Sequence, residues 1–278
     1  MKKSIRLLSS LALLASVVGT AHGQDHSHLN IGALGTNQND QLAFEHAEIF
    51  ETASDYVKSL TIAASGTYAG YFVGNLTLTG IAATPAHLGP FTNSPAPGSW
   101  LFIQLVSVDG PPGGAFAFWD TGATSPTYSL ACGTTGTNTW RVSENDGSPG
   151  SDPYGHIHGR RFTATRPGIY TVGFRAWDYS TNGVSGGPIH TPSPVLKIFF
   201  QAGDNIHSIE PDVDHTHVKF AARAGFSWQL QAATMLNPPN WQAIGAPITG
   251  DDYFHEVTDD TAVESNRVYR IKGTPIPP

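Results

Sequence analysis

Cysteine is almost missing from this chain. Cys132 stands alone in 278 residues, so no intramolecular disulfide can staple the fold and sites built from several thiolates are excluded. Set among Ser, Ala and Gly, it reads as a small buried filler rather than a reactive thiol. Charge is sparse too: Asp, Glu, Lys and Arg make up 13% of the residues and the formal net charge is -7. An acidic balance of this kind argues against nucleic acid and anionic lipid surfaces, both of which reward basic patches. Apolar runs with helical periodicity are lacking. Also lacking are a Gly-x-Ser-x-Gly elbow in a strand-to-helix context, a phosphate-cradling loop, a dinucleotide fingerprint and a His-Glu-x-x-His helix. The reading is therefore a protein that is not an enzyme.

What is there begins with a leader. Met1-Lys2-Lys3-Ser4-Ile5-Arg6 is basic, residues 7–18 are apolar, and Gly19-Thr20-Ala21-His22-Gly23 is rich in small residues. That layout is the one expected of a signal peptide over 1–23, cleaved after Gly23 or, as the alternative, after Ala21. The apolar run is short for a hydrocarbon core of ~30 Å, and no later run reaches spanning length. Losing Lys2, Lys3 and Arg6 takes the formal charge from -7 to about -10. The expected location is secreted, periplasmic or cell envelope, with no transmembrane segment after cleavage.

Short runs rich in β-branched and aromatic residues, separated by turn signals, fill the rest. Strands are expected over 41–50, 57–64, 68–78, 100–108, 115–119, 139–143, 161–165, 169–177 and 195–201. Alternation is clearest in the last but one, where Tyr170, Val172, Phe174 and Ala176 share a face. Asp109-Gly110-Pro111-Pro112-Gly113-Gly114 and Asn145-Asp146-Gly147-Ser148-Pro149-Gly150 are turn sequences. The expected fold is all-β, an antiparallel sandwich of Ig-like or jelly-roll type over 24–203. Residues 204–214 read as a linker, and 215–278 as a small β-domain with strands over 218–222, 227–232, 241–244, 254–257 and 268–272. The carboxylate pairs Asp251-Asp252 and Asp259-Asp260 read as solvated turn charges.

Histidine is the exception to this plain composition, with 12 copies against 15 Lys plus Arg. Three His-x-His pairs occur: His26 with His28, His156 with His158, and His215 with His217. In an extended chain residues i and i+2 face the same way, ~6–7 Å apart, so two such imidazoles can lean onto one metal ion. The candidate ligands are His26, His28, His156 and His158, with His190 as an addition after the Gly186-Gly187-Pro188 turn. Asp152 is placed to orient a histidine from behind. His215 and His217 rank lower, as a second site or surface residues. Zinc (Zn2+) is the expected ion. Copper (Cu2+) is the alternative, since imidazole suits both and cleavage after Ala21 would present the His22 amine and ring to copper(II). The rival reading takes the histidines as incidental and the six tryptophans as a carbohydrate-binding or adhesion surface.

Two resemblances bear on this choice. Gly155-His156-Ile157-His158, then Phe162, then Arg166-Pro167-Gly168-Ile169-Tyr170-Thr171-Val172-Gly173-Phe174, resembles the repeat of bacterial surface-anchored proteins that accompany zinc-responsive genes and metal transporters. The segment Asp25-His26-Ser27-His28 before Gly32 is similar to the His-containing N-terminal region of such proteins. The resemblance implies zinc capture, storage or delivery, with a metal transporter or envelope component as partner. This chain departs from the pattern in the Arg160-Arg161 before Phe162 and in lacking a C-terminal anchor. Separately, Ser227-Trp228-Gln229-Leu230-Gln231-Ala232-Ala233-Thr234, Asn240-Trp241 and Arg267-Val268-Tyr269-Arg270-Ile271 resemble a C-terminal β-module of secreted bacterial proteins.

Overall fold

A computed structural model describes residues 28–87, 89–157, 161–261 and 266–277. The expected signal peptide, His26 and His158 lie outside these residues. The chain is all-β. The alternation in Gly168–Asp178 does what period-2 patterning requires: Tyr170, Val172, Phe174 and Ala176 are each fully buried. This strand runs between Leu101–Asp109 and Leu196–Ala202, antiparallel to both. The sheet continues through Val57–Ile62, Phe72–Gly74, Arg161–Ala164 and Ala115–Trp119 to Tyr128–Ala131. At its other end Thr139–Arg141 pairs with Leu101–Asp109. The two ends curl toward each other, so that Trp140 stacks on Phe118 at 4.1 Å and Thr134–Thr135 bridges back to Leu101–Asp109.

A second sheet, in the order Gly155–Ile157, Thr77–Gly80, His28–Ala33, Leu42–Glu45, covers the first. Its inward residues Leu29, Ile31, Leu42, Leu78 and Ile157 join Phe116, Phe118, Phe162, Phe174 and Phe200 in one core. Each of these side chains contributes roughly 1.5–3 kcal/mol by leaving water. Cys132 packs against this core. Burial, with the nearby Asp109 charge, pushes its thiol pKa up, which suits a filler.

The topology departs from an all-antiparallel sandwich at two places. His28–Ala33 runs parallel to Thr77–Gly80, and Leu196–Ala202 runs parallel to Val57–Ile62. Parallel neighbours need long crossovers, which hairpin-scale turn signals do not announce. The expected strand over 68–78 divides, because Phe72–Gly74 belongs to the long sheet and Thr77–Gly80 to the short one. The strand over 41–50 stops at Glu45, where His46 takes a left-handed φ of 60° and a short helix, Ala47–Phe50, follows.

The tail is two three-stranded sheets around Val218, Phe220, Ala222, Trp228 and Leu230. The expected linker is part of it: Ile206–Pro211 pairs with Thr216–Ala222 as an edge strand. Its polar, mostly exposed residues are those of a strand with one face in water. Asp259 is also unlike its expectation, being fully buried. Burial would raise its pKa, but hydrogen bonds from Thr261, Tyr269 and Arg267 outweigh that and hold it below the usual carboxylate range.

The tail docks on the larger unit. Val57 N–H donates to the Asp252 carbonyl at 2.8 Å and Phe254 N–H to the Asp55 carbonyl at 2.9 Å. Lys219 pairs with Asp55, and Phe254 packs with Val57, Ala221 and Phe199. His207 lies against this contact, 4.6 Å from the Phe254 ring. Burial first, then the Lys219 charge, pushes the His207 pKa below the ordinary histidine value. The unfolded chain therefore takes up a proton near pH ~6.5 that the folded chain resists, so stability falls as pH drops below ~6.5. Urea midpoints at about pH 7.5 and about pH 5.5 should differ in the native protein and differ less in His207→Phe. An equal drop in both proteins would remove His207 from the explanation.

Candidate functional site

The outer face of the four-stranded sheet carries the candidate site. In His28–Ala33 the fully buried Leu29 and Ile31 point inward, so His28 and Asn30 point out. In Gly155–Ile157 the buried residues are Gly155 and Ile157, which turns the half-buried His156 outward. Thr77–Gly80 lies between, pairing His28 with Thr77 on one side and His156 with Thr79 on the other. The two histidines thus sit on a diagonal across one strand, with ring centroids 4.8 Å apart and planes inclined at 50°. Thr79 Oγ1 lies 3.4 Å from His28 Nδ1, a weak contact at that length.

Gly155 has a steric reason to be glycine. A Cβ there would meet the Val142 carbonyl oxygen at 1.9 Å. The close backbone approach holds the His156 strand against the neighbouring segment, and no side chain fits between.

Two imidazoles bound to one tetrahedral ion, with nitrogens ~2.0–2.1 Å from it, place their ring centres roughly 5 Å apart. The separation of His28 and His156 matches that spacing. Among the described residues no group of three or more His, Cys, Asp or Glu is arranged to hold a metal ion. His190 must be set apart from the candidate ligands. It is 1% exposed, its Nδ1–H donates to the Asp40 carbonyl at 2.9 Å, and its Nε2 accepts from Ala96 N–H at 2.9 Å. Both ring nitrogens are committed to backbone, and His190 ties three segments together instead. His215 and His217 sit on the tail beside Asp260 and Glu256.

The chain matches no protein-family model and no curated protein. The geometry has to speak for the site.

A cavity of about 450 Å³ opens beside His156. Its floor is one register row across all four strands: His156, Thr79, Asn30 and Glu45. Ile81, Ala82, Phe91, Tyr154 and His87 wall it. Sequence reading missed His87, which lies far from any His-x-His pair. Its ring stacks on Tyr154 at 4.3 Å and 6°, and its Nδ1 lies 2.8 Å from Asp152 Oδ2. Asp152 does orient a histidine, but the one it holds is His87. The same carboxylate accepts from Ala83 N–H, Thr84 Oγ1 and Tyr154 N–H. Burial works to raise its pKa, yet these bonds prevail and hold it below the usual range. Asp152 thereby pins the 83–87 segment against the 152–154 segment and shapes one cavity wall.

Proposed function

We propose that this chain is a non-enzymatic metal-binding protein of the cell envelope, acting in zinc capture, storage or delivery. The observation that carries it is the His28–His156 pair, at the separation two rings adopt around one ion. His26 and His158 are proposed to complete the set, each two residues in sequence from a member of the pair. A proton on His28 Nδ1 would face Thr79 Oγ1, 3.4 Å away, and would leave Nε2 for the ion. Zinc is preferred over copper on the resemblance to zinc-associated surface proteins, with a metal transporter or another envelope component as the partner for delivery.

The test is metal content after native purification, followed by zinc titration. Bound zinc and affinity tighter than micromolar are expected. Imidazole must be neutral to bind, so affinity should fall as pH drops through ~6.5. A protein that emerges metal-free and binds zinc no tighter than micromolar overturns the reading.

One observation favours the rival carbohydrate-binding or adhesion module. Trp100, Phe102, Tyr179 and Trp177 form a run of ring contacts on the long sheet at 4.9, 4.8 and 6.1 Å, and Tyr179 is 45% exposed. The other tryptophans offer less: Trp119, Trp140 and Trp228 are buried, and Trp241 lies under the Arg270 guanidinium. Glycan-array binding lost in Tyr179→Ala would support that reading.

A further inference from the structure

We infer that the cavity beside His156 is a binding site for a small organic amine with an apolar, preferably aromatic, body. At about 450 Å³ it lies within the ~300–1,000 Å³ typical of small-molecule sites. Its charge selects the sign of the ligand. Glu45 lines one end, the described lining residues include neither Lys nor Arg, and Asp152 stands behind His87. A carboxylate or phosphate ligand would meet this field unfavourably, whereas an ammonium group gains from it. Asn93 Nδ2 donates to Glu45 Oε1 at 3.1 Å, which orients the carboxylate before any ligand arrives.

The walls select the body. Phe91, Tyr154 and Ile81 face the cavity, and Phe91 is 50% exposed, so a flat apolar ligand gains by covering it. Aromatic faces beside a carboxylate also favour a cation over a neutral ring. The floor sets the length. Glu45 and His156 are the ends of a row three strand spacings long, ~14 Å between backbones. An amine held at Glu45 therefore extends its body over Asn30 and Thr79 toward His156.

This inference does not need a metal on His28 and His156, so it is tested on the full chain after EDTA treatment. Phenethylamine and 3-phenylpropionate share a body and differ in charge. Phenethylamine should bind about ten-fold tighter or more by titration calorimetry. Its amide shift changes should centre on Asn30, Glu45, Thr79 and Ile81. Glu45→Gln keeps the acceptor for Asn93 and should abolish the preference for the amine. Phe91→Ala, at a half-exposed wall, should weaken both probes. Equal affinities, an amine preference that survives Glu45→Gln, or no binding of either probe would overturn the inference. None of these outcomes bears on zinc binding, which is measured separately.

Discussion

His28→Ala/His156→Ala is expected to lower zinc affinity by about 100-fold or more while leaving the β-spectrum unchanged. The two rings stand 4.8 Å apart on an outward face, and the residues that anchor their strands, Leu29 and Ile157, remain buried beneath. Each single variant should lose most of the affinity, since one imidazole removes half of the described ligand pair. Zinc titration with circular dichroism on the three variants checks this. Unchanged stoichiometry and affinity in the double variant would place the metal elsewhere, with His215 and His217 next to be tested.

Phe162→Ala should cost about 3–5 kcal/mol of stability, the range for removing a large ring from a packed core. Phe162 is 1% exposed and touches five other rings: Phe116, Phe118, Trp140, Phe174 and Phe200, at centroid distances of 5.7, 5.7, 6.1, 5.8 and 6.1 Å. The five rings come from four strands, so they cannot easily collapse into the hole. The urea midpoint should fall with the m-value unchanged. A loss under about 1 kcal/mol would mean that the site repacks freely.

The motif around residues 155–174 divides along the same line. Phe162 is core. Gly168 has φ +136°, and a Cβ there would strike Pro111. Tyr170 donates its hydroxyl to the Arg166 carbonyl at 2.8 Å, tying the turn to the strand it opens. This half of the motif is architecture, and only His156 among its described residues faces the candidate site. A Pro-Gly-x-Tyr turn thus explains why the strand starts where it does, and says nothing about metal.

Some of this is a local property of the chain. The all-β class, the buried face of residues 168–178 and every strand expected in the tail follow from period-2 patterning, which each segment carries in its own residues. Burial of His190 and Asp259 is different. Their flanks look like polar turns, and the partners that satisfy them in the interior come from the folded arrangement: Asp40 and Ala96, far away in sequence, for His190, and Thr261, Arg267 and Tyr269 for Asp259. Asp152 shows the same divide: its role in orienting a histidine was legible, but its choice of His87 over the His-x-His pair depended on where the 83–87 segment docks. The meeting of His28 with His156 rests on Thr77–Gly80 pairing parallel to one and antiparallel to the other. Sequence by itself determined that the chain is all-β and which side chains of a strand such as residues 168–178 share a face. Tertiary structure alone decided which of them meet, because strand order and register are set by packing of the whole core.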